Sequence, residues 1–211
     1  MFNIAIIIFI IIIIIYSYHN HILAQKFTII ETIEIVSNVD GLKYKVHTAH
    51  PNRQRAADIL ALLNKRIIDL MRFLKANHTS GYNAILVNNL LTRYNPDHLI
   101  ENSPKDPTGD TAYSIDKGNI IAICLRERDP TQSGDLRNHD FHDLNLLTFV
   151  TIHEMTHVAI DVINHPKEFW DAFKFLLMEC ERAGIYTSTN YALSPQTYCG
   201  IYVDYNPRYN N

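Results

Sequence analysis

The pattern of apolar and polar positions changes several times along the chain, and each change marks an element. Residues 2 to 18 form an isoleucine-rich apolar run broken only by Asn3 and Ser17. The run lacks the polar stripe of a surface helix and, at about 17 residues, reads as a short transmembrane helix. A cleaved signal peptide ending near Ile22-Leu23-Ala24 is the competing reading, weakened by the absence of Lys or Arg ahead of the run. From Phe27 the period shortens. Phe27 to Val36 and Leu42 to Val46 read as two strands joined by a turn at Asn38-Val39-Asp40-Gly41, a hairpin.

Pro51 to Ala76 carries Ala57, Leu60, Leu63, Ile67, Leu70 and Leu74 at helical spacing, a long scaffold helix. Ala84 to Val87 reads as a short strand. Asn95 to Asp110, with three prolines and no period, reads as a loop, and Ile120 to Leu125 as a strand. After the polar stretch Asp129 to Asp143, Asp143 is placed to cap a helix in which Leu146, Phe149, Ile152, Ala159 and Ile163 recur at helical intervals. Pro166 suits the first position of a further helix that Gly184 stops, with Phe169, Phe173, Leu176, Leu177 and Cys180 as its apolar face. These elements predict an α+β fold: a small mixed sheet packed by the scaffold helix and the helix after Asp143. Residues 1–25 would form an anchor and linker and 26–211 the folded domain.

Composition narrows the function classes. At 211 residues and 47% hydrophobic, the chain can bury a substantial core, and a net charge of −3 gives no footprint for nucleic acid. The positive residues Lys26, Lys43, Lys45, Arg53 and Arg55 all follow the apolar run, which would place the domain on the cytoplasmic side of a membrane spanned once. Cys124, Cys180 and Cys199 are odd in number and widely spaced, which argues against a disulfide framework and for a reducing compartment.

The chemistry concentrates at His153-Glu154-Met155-Thr156-His157. Two imidazoles four residues apart share one helix face, where their nitrogens can meet on one Zn2+ ion. Glu154, directly after the first, can take a proton from a water activated there. Chance supplies about 0.02 such matches in a chain of this composition. Catalytic zinc takes three protein ligands, and His165, Asp161 and Glu168 compete for the third place. His165, at the junction of two helices, ranks first, with Asp161 better suited to orienting a ligating imidazole. His139 and His142 are further imidazoles, explained by a solvated loop. The tail from Ile185 to Asn211 holds Tyr186, Tyr191, Tyr198, Tyr202, Tyr205 and Tyr209, any of which could stabilise an oxyanion.

The motif and the following His165-Pro166-Lys167-Glu168-Phe169-Trp170 resemble the WLM and SprT-like zincin metallopeptidases, whose third His stands nearer the motif than the eight-residue step here. A longer resemblance, over most of residues 27 to 207, is to the uncharacterised WLM-like metallopeptidases of large DNA viruses. It includes the run from Lys117 to Arg126 and Tyr198-Cys199-Gly200. The resemblance implies a zincin-like domain cutting a protein or peptide substrate, with Zn2+ on His153, His157 and His165 and Glu154 as base. It also implies that the Ile120 to Leu125 strand binds substrate at its edge. With the apolar run, the localisation it suggests is a cell or virion membrane. The alternative from another class is a membrane-anchored virion or assembly protein whose zinc is structural.

Overall fold

The computed structural model describes residues 32–48, 50–102, 110–127 and 140–209, all within one unit, Thr32–Asn211. Strand β1 (Thr32–Val36) turns back into β2 (Lys43–His47) as the expected antiparallel hairpin; residues 27–31, the first half of the expected strand, lie outside the described residues. Helix α1 (Arg53–Asn77) follows, and Ala57, Leu60, Leu63, Ile67, Leu70 and Leu74 are all buried on it, as their spacing required. Asn64 interrupts that apolar face at no loss. Its amide donates to the Tyr44 hydroxyl at 2.8 Å and accepts from the Tyr94 hydroxyl at 2.8 Å. Both ends of a buried polar group are thereby satisfied.

Two segments depart from expectation. Ala84 to Val87 is not a strand but part of helix α2 (Gly81–Arg93), because Leu86, Val87 and Leu90 bury together on one helical face. The supposed loop after Asn95 holds a 3₁₀ turn (Pro96–His98) and strand β3 (Leu99–Asn102), all four of whose residues are buried. Strands β4 (Ala112–Ile115) and β5 (Ile120–Cys124) complete a five-stranded sheet in the order β1-β2-β3-β5-β4. β2, β3 and β5 run parallel; β1 and β4 pair antiparallel at the two ends. The sheet is therefore mixed. Helix α3 (Leu144–Ala159) packs on β4 and β5 and against α1, α2 and α4 (Lys167–Arg182). A small hairpin of β6 (Gln196–Tyr198) and β7 (Ile201–Val203) closes the described chain.

Inside β3, Glu101 is completely buried. It accepts from the His47 backbone N–H at 2.8 Å and pairs with Arg126 Nε at 2.7 Å. Arg126 also donates to the Pro51 carbonyl at 2.7 Å and lies 4.3 Å from the Phe141 ring centroid. This ion pair satisfies a carboxylate inside a strand too short to show a period.

Two expectations are corrected here. Among the described residues no helix is long and apolar enough to cross a membrane, which stands against the transmembrane helix and the single-pass localisation built on it. Residues 2 to 18, on which that expectation falls, lie outside the described residues. Secondly, Cys124 and Cys199 form a disulfide with Cα atoms 6.4 Å apart, whereas Cys180 is a free, buried thiol. Partners 75 residues apart leave no spacing signature to read.

Removing one member of the buried pair should be strongly destabilising. Arg126→Met leaves the Glu101 carboxylate buried without its cation and should lower unfolding free energy by about 3–5 kcal/mol in urea titration. The double variant with Glu101→Gln should recover most of that loss.

Candidate metal centre

Helix α3 begins at Asp143, whose carboxylate accepts from the N–H groups of Asn145 and Leu146, at 2.8 and 3.3 Å. The helix is buried on nearly every side. Its threonines meet that burial by donating back to backbone carbonyls, Thr151 to Leu147 and Thr156 to Ile152. In the two turns that carry the motif, His153 and His157 alone reach partial exposure. Ile163, expected on the buried face, instead lies beyond the helix and is 81% exposed.

His165 returns to this face. Its Nε2 lies 3.1 Å from His157 Nε2 and 3.1 Å from His153 Nε2, and the three residues form a cluster whose nitrogens all lie within 4.8 Å of one another. Hydrogen bonding alone does not account for this. One imidazole nitrogen offers either one proton or one lone pair, and His165 Nε2 meets two neighbours. Two nitrogens on a tetrahedral zinc stand about 3.3 Å apart, so the donor set and its spacing fit that ion. Burial, then the neighbouring imidazoles, depress the His153 pKa to about 3 and, with Lys117 also contributing, that of His157 to about 4. Burial lowers His165 as well. The rings therefore stay neutral, with lone pairs available.

Two devices hold the rings. Phe169, fully buried at the start of α4, places its ring 4.8, 4.5 and 4.5 Å from those of His153, His157 and His165. The turn that brings His165 back is fixed by side chains from elsewhere. Asn89 donates to the Ala159 carbonyl at 2.8 Å and Arg93 to that of Val158 at 2.9 Å. Lys117 donates to the carbonyls of Ile160 and Val162, at 2.7 and 3.1 Å. The last carbonyls of α3 are thus capped, as helix ends require. Gly118, at φ +107, lies so close to Val158 that a Cβ would meet its methyls at 3.3 Å. Asn89, Arg93 and Lys117 act across tens of residues, and only the Lys117-Gly118 turn ahead of β5 hinted at them.

Glu154 is only 4% exposed, and burial, with the nearby Asp110 charge, pushes its carboxyl up to about 8. It faces a polar cleft of about 530 Å³ that it shares with all three histidines, Lys117 and residues of β4. The other ligand candidates lie elsewhere. Asp161 pairs with Arg93 at 2.7 Å rather than orienting an imidazole, and Glu168 accepts from the Tyr82 hydroxyl. His142 accepts from the Cys199 N–H, and His139 lies outside the described residues. Of the tail tyrosines, Tyr202 and Tyr205 line a cavity with His153 and Glu154, as does Tyr198, which also feels the Glu154 charge. Tyr198 is buried, its hydroxyl accepts from the Cys124 N–H at 3.2 Å, and burial followed by the Glu154 charge raises its pKa. The expected substrate strand is corrected too: β5 is paired on both sides, and β4 ends the sheet beside the cleft.

If the capped turn aims His165, loosening it should weaken metal binding without unfolding the protein. Arg93→Leu should lower zinc affinity about tenfold in competition with a chelating dye, within the range seen for outer partners of ligands. Unchanged affinity would remove this role from Arg93.

No protein-family model matches the chain, and no solved structure matches it significantly. Two viral proteins do. Over 81 residues, 38% of this chain and 42% of the relative, it is 35% identical to the uncharacterized protein 136R of Invertebrate iridescent virus 6. Over 183 residues, 85% of this chain and 86% of the relative, it is 33% identical to the uncharacterized protein R325 of Acanthamoeba polyphaga mimivirus. With that identity across most of both chains, the protein belongs to the family of the mimivirus protein R325.

Proposed function

We propose that this protein is a zinc-dependent endopeptidase. The observation that carries the reading is the convergence of His153, His157 and His165 Nε2 atoms beside the buried carboxyl of Glu154. Among the described residues the cluster has three members, where structural zinc sites close with four protein ligands. The resemblance to WLM and SprT-like metallopeptidases supports the same assignment.

His153, His157 and His165 would hold the ion. A zinc ion bound there supplies Lewis acidity, polarising a carbonyl and acidifying a water. Glu154 takes a proton from the water as its oxygen attacks the peptide carbonyl carbon, then delivers it to the departing amine nitrogen as the C–N bond breaks. Burial raises the carboxyl while a cation on the histidines would lower it, and a base works best when such opposing effects leave its pKa near the ambient pH. Strand β4, at the end of the sheet, offers an extended peptide a partner with which to continue the antiparallel pairing. Two cavities that share His153 and Glu154 but differ in the rest of their lining leave room for more than one residue of a substrate, which favours cleavage within a chain.

Metal content and turnover test this together. The full-length protein should carry near one zinc per chain by inductively coupled plasma mass spectrometry, and His165→Ala should lose most of it. Glu154→Gln should keep the metal while cleavage of a denatured protein falls by about 10²–10⁴. Full cleavage by Glu154→Gln would refute the base, and a folded parent that takes up no zinc would refute the site.

A further inference from the structure

A second cavity, of about 340 Å³, leads away from the histidines and shares only Ala112, His153 and Glu154 with the polar cleft. Its character is different. Phe149, Val150 and Phe173, all buried, line it together with Trp170, and Trp170 meets Tyr205 edge-on at 5.0 Å. Val203 and Tyr205 belong to the segment after Cys199, whose disulfide ties that segment to β5. Ile201 and Tyr202 also line the cavity, 48% and 74% exposed, so apolar surface continues outward from it.

We propose that this cavity, lined by Phe149, Val150, Trp170, Phe173, Val203 and Tyr205, is a specificity pocket that takes a large apolar side chain flanking the bond cut. The inference rests on the peptidase reading and adds a substrate class to it. An apolar cavity of about 150 Å³ already accepts a benzene ring, so an aromatic or long aliphatic side chain fits here with room to spare. Among the described residues no Lys or Arg lines the cavity. Among them, away from Glu154, the one carboxylate is Asp204, which is exposed, so a charged side chain would lose hydration without a buried partner. The Tyr198 hydroxyl already accepts from the Cys124 N–H, and the aromatic and aliphatic walls select chiefly by size and apolarity. Because the cavity shares His153 and Glu154 with the metal centre, its occupant must belong to a residue beside the reacting carbonyl.

The test uses the full-length, zinc-supplied protein and three peptide hydroxamates alike but for one side chain: hydrogen, benzyl or aminobutyl. By titration calorimetry the benzyl compound should bind wild type at least tenfold more tightly than the hydrogen compound, the change expected from burying one aromatic group. Val203→Trp fills the pocket from its partly exposed wall. It should abolish that advantage. Should Val203→Trp disturb the site, Tyr205→Ala, which removes a wall, should still shrink the benzyl advantage several-fold. Equal affinities on wild type, no binding by any of the three, an advantage that survives both variants, or an aminobutyl preference would each overturn the pocket. A parallel digest of a peptide mixture, with Glu154→Gln as control, separates the two readings. Glu154-dependent cuts without large apolar residues at either flank overturn the pocket and keep the peptidase. Benzyl discrimination without Glu154-dependent cuts keeps the pocket and removes the peptidase.

Discussion

Three imidazole nitrogens do not gather unaided. His165 Nε2 sits 3.1 Å from two others, and each neutral ring brings a lone pair or a proton that its neighbours cannot all accommodate. Such an arrangement persists only where the surroundings determine every ring. Here one wall is Phe169, in contact with all three. The other is the burial of α3, which keeps His153 and His157 one turn apart on a helix with little freedom to bend. The rest of the fold follows from supplying those walls. α1 and the sheet bury α3 from beneath, α4 delivers Phe169, and α2 with the β4–β5 turn caps the carbonyls where α3 ends.

That same burial sets the electrostatics. Desolvation raises the proton affinity of the Glu154 carboxyl and lowers that of the imidazoles, moving acid and base character in opposite directions within one helical turn. A bound cation would draw the carboxyl back toward its ionised form, so the helix presents a group that can both take and return a proton. The two cavities divide along the same line, one polar around the open side of the histidines, the other apolar under the tail.

Legibility in the sequence followed the range of the interaction. His153, Glu154 and His157 could be read because their relation is contained in five residues of one helix, and the Asp143 cap and the buried stripe of α1 are equally local. The closure by His165 needed a turn whose direction is decided by Asn89, Arg93 and Lys117, residues 48 to 76 positions away from it, which no periodicity records. Strand β3 was missed because its four residues are too few to show a period among the prolines around them, and the partners that bury Glu101 and Asn102, Arg126 and the Asp110 carbonyl, come from elsewhere. α2 was misread over Ala84 to Val87 because four apolar residues carry no period of their own. The Cys124–Cys199 bridge joins a strand end to a hairpin turn, and only the tertiary fold brings the two together.

That bridge has a topological consequence. It closes residues 124 to 199 into a covalent ring that contains α3, α4 and all three histidines. By loop-closure entropy, a ring of this size removes about 4.5 kcal/mol of freedom from the unfolded chain. A backbone cut anywhere inside the ring opens the loop without releasing a fragment. In an oxidised molecule nicked between these cysteines, His153 and His165 stay on one covalent body even when they no longer share one uninterrupted backbone.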